Sequence, residues 1–248
     1  MKIDILTLFP EMFVPVTTSS ILGRAAEKKI IDINLTDIRE YTLNKHRKVD
    51  DYPFGGGQGM VMMPQPIFDA LRAVGAKDKK ILYMSPRGKV LDKDKIQELS
   101  TLSELVILCG HYEGVDQRAI DYWGMEEVSI GDYVLTGGEL PAMVLIDSVA
   151  RLIPGVLSGE DSAMEESIYS GLLEYPQYTQ PREYDGLLVP EVLLSGHHRN
   201  IELWRFEKSL ELTRDVRPDL FEDYCMEHGE DLDKGKKKIL EKIIKDQT

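Results

Sequence analysis

The chain has 248 residues, enough for one large domain or two smaller ones, and 42% of them are hydrophobic, which argues against global disorder. Its formal charge of −13 excludes a broad, non-specific grip on nucleic acid but leaves room for a local basic face. No apolar run is long enough to span a bilayer, and Met1-Lys2-Ile3-Asp4-Ile5 puts an acid where a secretory leader would be apolar.

Two cysteines, Cys109 and Cys225, are too few for a disulfide framework or a thiolate metal site. A soluble, reduced, cytoplasmic protein with no membrane partner is expected.

In chain order, Ile3, Ile5, Leu6, Leu8 and Phe9 predict a short strand stopped at Pro10. Ser19 or Ser20 caps a helix to about Lys29, and Ile31 to Ile38 alternates as a strand. Residues 39–63 read as a long connection containing Gly55-Gly56-Gly57, a length usual for a functional or mobile segment. A helix is predicted from Pro64 to Val74 and a strand from Lys80 to Met84, ending at Ser85-Pro86-Arg87-Gly88. Asp92 then caps a helix to about Leu99. Leu105 to Cys109 is a third strand, ending at Gly110-His111-Tyr112-Glu113-Gly114, and Val115 to Tyr122 is helical.

The strand at Glu126–Ile130 feeds Gly131-Asp132-Tyr133-Val134-Leu135-Thr136-Gly137-Gly138. Pro141 then sits in the first turn of an apolar helix, where its missing N–H costs nothing. Strands alternating with helices imply an α/β fold, a parallel sheet flanked by helices, with ligands beyond the carboxyl ends of the strands. The turns at Ser85–Gly88, Gly110–Gly114 and Gly131–Gly138 should therefore gather at one end. The last of them holds no Lys or Arg, so it makes a poor phosphate cradle and suits an uncharged group such as adenosine.

After Arg151 the texture changes. Residues 1–158 read as the catalytic domain, 159–170 as an acidic interdomain linker and 171–248 as a small, all-helical domain. In the last of these, Ser195 is expected to cap a helix to about Val216, and Pro218 or Asp219 to start another. Basic residues cluster at Lys45-His46-Arg47-Lys48, at His197-His198-Arg199, and at Arg205, Lys208, Arg214 and Arg217.

Several segments in one order carry a family resemblance: Lys2 to Pro10, Pro53 to Met60, Leu108 to Asp116, Ser129 to Pro141, Arg151 to Leu157, Tyr175 to Pro181, and Ser195 to His198. Together they resemble the bacterial tRNA (guanine-N1)-methyltransferases, which belong to the knotted superfamily of S-adenosylmethionine-dependent RNA methyltransferases. The resemblance covers essentially the whole chain. It implies a deep trefoil knot and a homodimer with a shared active site, in which one chain's helical domain lies over the other's cofactor pocket. It implies methylation of N1 of the guanosine 3′ of the anticodon, with the tRNA anticodon stem-loop as partner; Gly55 to Gly57 and Lys45 to Lys48 are candidates to touch it.

The cofactor pocket it implies is formed by Tyr83, Met84, Ser85, Pro86, Gly110, Tyr112, Glu113, Ser129, Ile130, Gly131, Asp132, Tyr133, Val134, Leu135, Gly137, Gly138 and Pro141. Glu113 would hold the methionine end of S-adenosylmethionine or a divalent ion such as Mg²⁺; no dedicated metal site is expected. Arg151 would stabilise charge on guanine O6. The base that takes the N1 proton would be Glu166, or its neighbour Glu165, at a position where the family usually has Asp before Ser; here the segment reads Glu165-Glu166-Ser167. The rival readings are a related methyltransferase acting on another RNA and a catalytically silent RNA-binding protein.

Overall fold

In the computed structural model, which describes residues 1–157, 167–229 and 231–245, the chain divides into two units, Met1–Glu160 and Asp161–Thr248. The first unit runs β1 (Lys2–Thr7), α1 (Val14–Thr17), α2 (Ser20–Glu27), β2 (Asp32–Asp37), β3 (Asp50–Asp51), β4 (Val61–Met62), α3 (Pro64–Ala73) and β5 (Ile81–Val90). It continues with α4 (Lys93–Ser100), β6 (Glu104–Cys109), α5 (Gln117–Trp123), β7 (Glu126–Ser129) and α6 (Glu139–Arg151). Five strands form one parallel sheet in the order β2-β1-β6-β5-β7.

Alternation along the strands decides which helices cover which face. Ile3, Ile5, Leu82, Met84, Leu105, Ile107 and Cys109 face one side, where Leu22 and Ala25 of α2, Leu99 of α4, and Leu145, Ile146 and Val149 of α6 cover them. Leu6, Ile81, Tyr83, Val106 and Leu108 face the other, under Ile67, Ala70 and Leu71 of α3 and Ala119 and Ile120 of α5. Asp4, 3% exposed within β1, is compensated by Lys2 at 3.1 Å and Lys79 at 3.6 Å.

Two expectations change here. The strand predicted to stop at Met84 runs on to Val90, because Gly88 lets β5 return to β7. The register jumps so that Met84 and Lys89 both oppose Val128, and a Cβ on Gly88 would lie 2.3 Å from Glu127 backbone. The 39–63 connection also carries structure: a 3₁₀ turn at Ile38–Tyr41, and β3 paired with β4 in antiparallel register. It is stitched to the turn after β6, since Met62 N–H donates to Gly114 O at 2.9 Å and Glu113 N–H to Met60 O at 2.9 Å.

The second unit holds β8 (Glu183–Tyr184), β9 (Leu187–Leu188), α7 (Glu191–Leu194), α8 (His198–Val216), α9 (Pro218–His228) and α10 (Lys234–Lys245). Leu210, Phe221, Tyr224, Leu240 and Ile243 form its core. Its helices are joined by an antiparallel hairpin that an all-helical reading omits. Asp185 and Gly186 both have positive φ, 53° and 76°, the conformation a two-residue hairpin turn demands. Ser195 closes α7 instead of opening α8. Gly196, at φ 71°, then turns the chain, and α8 begins after His197.

Among the described residues, no helix is long and apolar enough to cross a membrane.

Candidate active site

Three turns, one arching out within β5 and the others at the carboxyl ends of β6 and β7, enclose a cavity of about 300 Å³. The first is the arch after Met84, where Arg87 N–H donates to Ser85 Oγ at 3.2 Å. Tyr83, Met84 and Ser85 are 4–6% exposed, so this wall is fixed by packing. The second begins at Gly110, where any side chain would collide with Tyr83: a Cβ there would lie 2.6 Å from Cε2. Tyr112 follows with φ 59°, and Gly114 with φ 122° completes the turn.

The third turn leaves β7 at Ser129. Ser129 Oγ accepts from Gly131 N–H at 3.2 Å and donates to Gly131 O at 3.0 Å. Tyr133 then folds back, its hydroxyl donating to Ile130 O at 3.3 Å. The loop is latched to the second turn by Gly138 N–H donating to Gly110 O at 2.8 Å and by an antiparallel bridge between Gly137 and His111. Behind the latch, Glu139 opens α6. It is 2% exposed and accepts from Thr7 Oγ1 at 2.7 Å.

Charge in the cavity is sparse. The one Lys or Arg in its lining, Arg87, is held by both oxygens of Glu127 at 2.7 and 3.0 Å and by Gln117 Oε1 at 3.2 Å. Burial, and then the nearby Glu127 charge, push the Tyr83 phenol above its ordinary range. Burial likewise pushes the Cys109 thiol well up, with the Glu139 charge adding to it. Such a hollow suits a flat, uncharged body held by main-chain groups.

Of the residues expected to hold the cofactor, the structure gathers all but one around the cavity: Tyr83 to Pro86, Gly110, Tyr112, Glu113, Ser129 to Gly131, Tyr133 to Leu135, Gly137, Gly138 and Pro141. The exception is Asp132, which is absent from the lining. Glu113 packs against Gly59, where a Cβ would lie 2.4 Å from Oε1. Arg151 ends α6 and is no part of the cavity wall. Glu165 and Glu166 lie outside the described residues.

The cavity also takes in Arg87, His111, Gly114, Val115, Val128 and Thr136. The turn boundaries already contained Arg87, His111, Gly114 and Thr136. Val115 and Val128 look like any core valine, and nothing local marks them. Among the described residues, no group of three or more His, Cys, Asp or Glu is gathered as a metal centre.

Residues 1–223 match the family described as tRNA (Guanine-1)-methyltransferase TrmD. The chain is 62% identical over 224 residues to the tRNA (guanine-N(1)-)-methyltransferase of Ruminiclostridium cellulolyticum, covering 89% of this chain and 96% of that relative. It is 58% identical over 222 residues to the protein of the same name from Clostridium beijerinckii (89% and 92% covered). Against the Clostridium perfringens protein it is 56% identical over 223 residues (90% and 94%). With nearly nine-tenths of its length matched by one family, this chain belongs to the tRNA (guanine-1)-methyltransferases.

Proposed function

We propose that this protein methylates N1 of the guanosine 3′ of the anticodon in tRNA, with S-adenosylmethionine as donor. Family membership supports the reaction, and the cavity supports the donor. A nucleotide cofactor would need free cations for its phosphates, and the one Lys or Arg in the lining is already engaged by Glu127. Gly110 and Gly138 both line the cavity and are joined by the Gly138 N–H to Gly110 O bond, a side-chain-free wall against which an adenosine can lie.

When bound, S-adenosylmethionine supplies an electrophilic methyl group on a sulfonium. The chain's own residues do the rest. The walls at Tyr83–Pro86, Gly110–Tyr112 and Ile130–Leu135 hold and orient the adenosine, with Gly137 and Gly138 as floor. Glu113 is the side chain offered to the methionine end, or to a magnesium ion. The acidic linker brings Glu166 to the substrate, where its carboxylate takes the N1 proton and makes the ring nitrogen nucleophilic. Arg151 neutralises the charge that develops on O6. Positioning the purine in line supplies much of the rate.

The knotted path and the homodimer with a shared site belong to the same proposal. Supporting the knot, Leu91 N–H donates to Ser129 O at 2.8 Å just before the chain turns back to meet Gly110. The second unit is assigned to tRNA binding, with its basic helix faces toward the anticodon stem-loop.

The test is methyl transfer from labelled donor to unmodified tRNA with guanosine at the target position and as the last anticodon base. A tRNA with adenosine at the target should accept nothing. Absence of transfer to the first tRNA, with donor binding intact, would reject the reading. Glu166→Gln should lower turnover by roughly 10²- to 10⁴-fold and leave donor affinity within about twofold. Ordinary turnover in that variant, with loss in Glu165→Gln, would move the base by one residue.

A further inference from the structure

Among the described residues of the first unit, two carboxylates are almost wholly buried, and they are treated differently. Asp4, at 3% exposure, has two lysines beside it. Glu139, at 2% exposure, has one side-chain partner among the described residues, and that partner is neutral: the Thr7 hydroxyl at 2.7 Å. Thr7 Oγ1 accepts from Phe9 N–H at 3.0 Å and donates to Glu139 Oε1. The first turn of α6, where backbone N–H groups are unpaired, also favours a negative group there. An ionised carboxylate held from water without a cation is a costly arrangement unless something supplies the missing charge.

The place of this carboxylate is informative. A Cβ built on Gly137 would lie 2.4 Å from Glu139 Oε2, and Gly137 is part of the cavity lining. Glu139 therefore sits directly behind the cavity floor and contributes no atom to the lining. Gly137 adds no side chain of its own there, and the other group beside that point is the His111 ring of the cavity lining, whose Cδ2 and Nε2 lie 2.7 and 3.0 Å from the same Cβ position.

We infer that Glu139 is a charge-selecting residue, whose buried carboxylate sits behind the Gly137–Gly138 floor as the unpaired counter-charge for a cationic ligand. This rests on the reading that the cavity holds S-adenosylmethionine, and it adds to that reading a preference between donor and product. The donor carries a sulfonium, and the product left after transfer carries a neutral thioether. The field of Glu139 acts on the first and is indifferent to the second, so it holds the methyl donor more firmly and lets the spent product leave.

The experiment is a pair of calorimetric titrations, S-adenosylmethionine and S-adenosylhomocysteine, on the wild-type chain and on Glu139→Gln at the same pH and salt. The amide keeps the shape and the Thr7 contact and removes the charge. The expected result is a loss of about tenfold in affinity for the sulfonium, the scale of one unit charge at about 10 Å inside a protein, with the thioether unchanged within about twofold. Equal change for both ligands, or none, overturns the inference, because a merely structural role would move both alike.

Should Glu139→Gln fail to fold, Thr7→Val with Glu139→Leu replaces the whole polar pair by apolar groups and is read the same way. Failure of both to fold would assign Glu139 to the fold alone and overturn the inference. A wild-type chain that bound neither ligand would instead reject the reading of the cavity.

Discussion

Gly138 has φ −82° and ψ −3°, values any residue adopts, so its need for glycine is not conformational. It is steric. A Cβ there would lie 2.8 Å from Cys109 Cα and 2.9 Å from Gly110 N, and backbone has no rotamer by which to yield. Gly138→Ala should therefore break the latch to Gly110, lowering donor affinity more than tenfold and stability by about 1–3 kcal/mol. Gly124 is the control. Its φ of 58° disfavours alanine, but nothing lies within 4 Å of its Cβ position. Gly124→Ala should cost about 1 kcal/mol and leave donor binding untouched, as thermal unfolding and titration would show.

At this scale the sequence was informative where a turn announced itself by glycine or proline, as at Ser85–Gly88 and Gly110–Gly114. It was silent where the constraint comes from a distant partner. Nothing near Glu139 tells that Thr7, at the far end of the chain, will face it.

Among the elements, the connection from β2 to α3 is the most telling. Its ends are tied down, by β3 against β4 and by Met60 and Met62 to the turn after β6, while its middle is bare. Phe54 is 99% exposed, and Gly55, Gly56 and Gly57 all have positive φ. A side chain with no packing adds little to folding, so Phe54→Ala should leave the melting temperature unchanged. If the loop meets the anticodon stem-loop, the same change removes an aromatic face on which a base can stack, worth about 1–3 kcal/mol. That would appear as a rise in KM for tRNA with donor affinity intact.

Element types were legible because apolar spacing in this chain is regular. The exceptions had physical causes. Strand β5 outran its prediction because a proline and a glycine, ordinarily stop signals, here build a bulge that returns to the sheet. Ser195 looked like a helix opener, but Gly196 next to it takes the left-handed conformation, and the serine closes the preceding turn of helix. The two-residue strands β8 and β9 are too short for any periodicity to show.

For the molecule as a whole, alkaline pH is the revealing condition. Cys109 and Tyr83 are both held protonated in the fold beyond their ordinary values, the thiol's being 9.0 and the phenol's 10.0, chiefly by burial. Between the ordinary and the folded value, the unfolded chain has lost the proton and the folded chain keeps it. The unfolded state then binds fewer protons, so stability declines as pH rises, with none of this loss below about pH 9. Cys109→Ala should remove one group's share, flattening the decline above that pH by about 1.4 kcal/mol per unit. Denaturant unfolding between neutral pH and pH 10.5 would measure it. An unchanged slope would mean that the thiol is not held in the manner described.

The strand order has a consequence during translation. As the nascent chain leaves the ribosome, β1 and β2 can pair at once, but the other edge of β1 and the inner edge of β5 both wait for β6, which joins them. Until residues 104–109 have emerged, two rows of unsatisfied peptide groups flanked by isoleucine and leucine stand open. A ribosome that stalls before Glu104 would release a fragment primed to aggregate or to be degraded, whereas one that stalls soon after Cys109 would release a fragment with its central strands already zipped together.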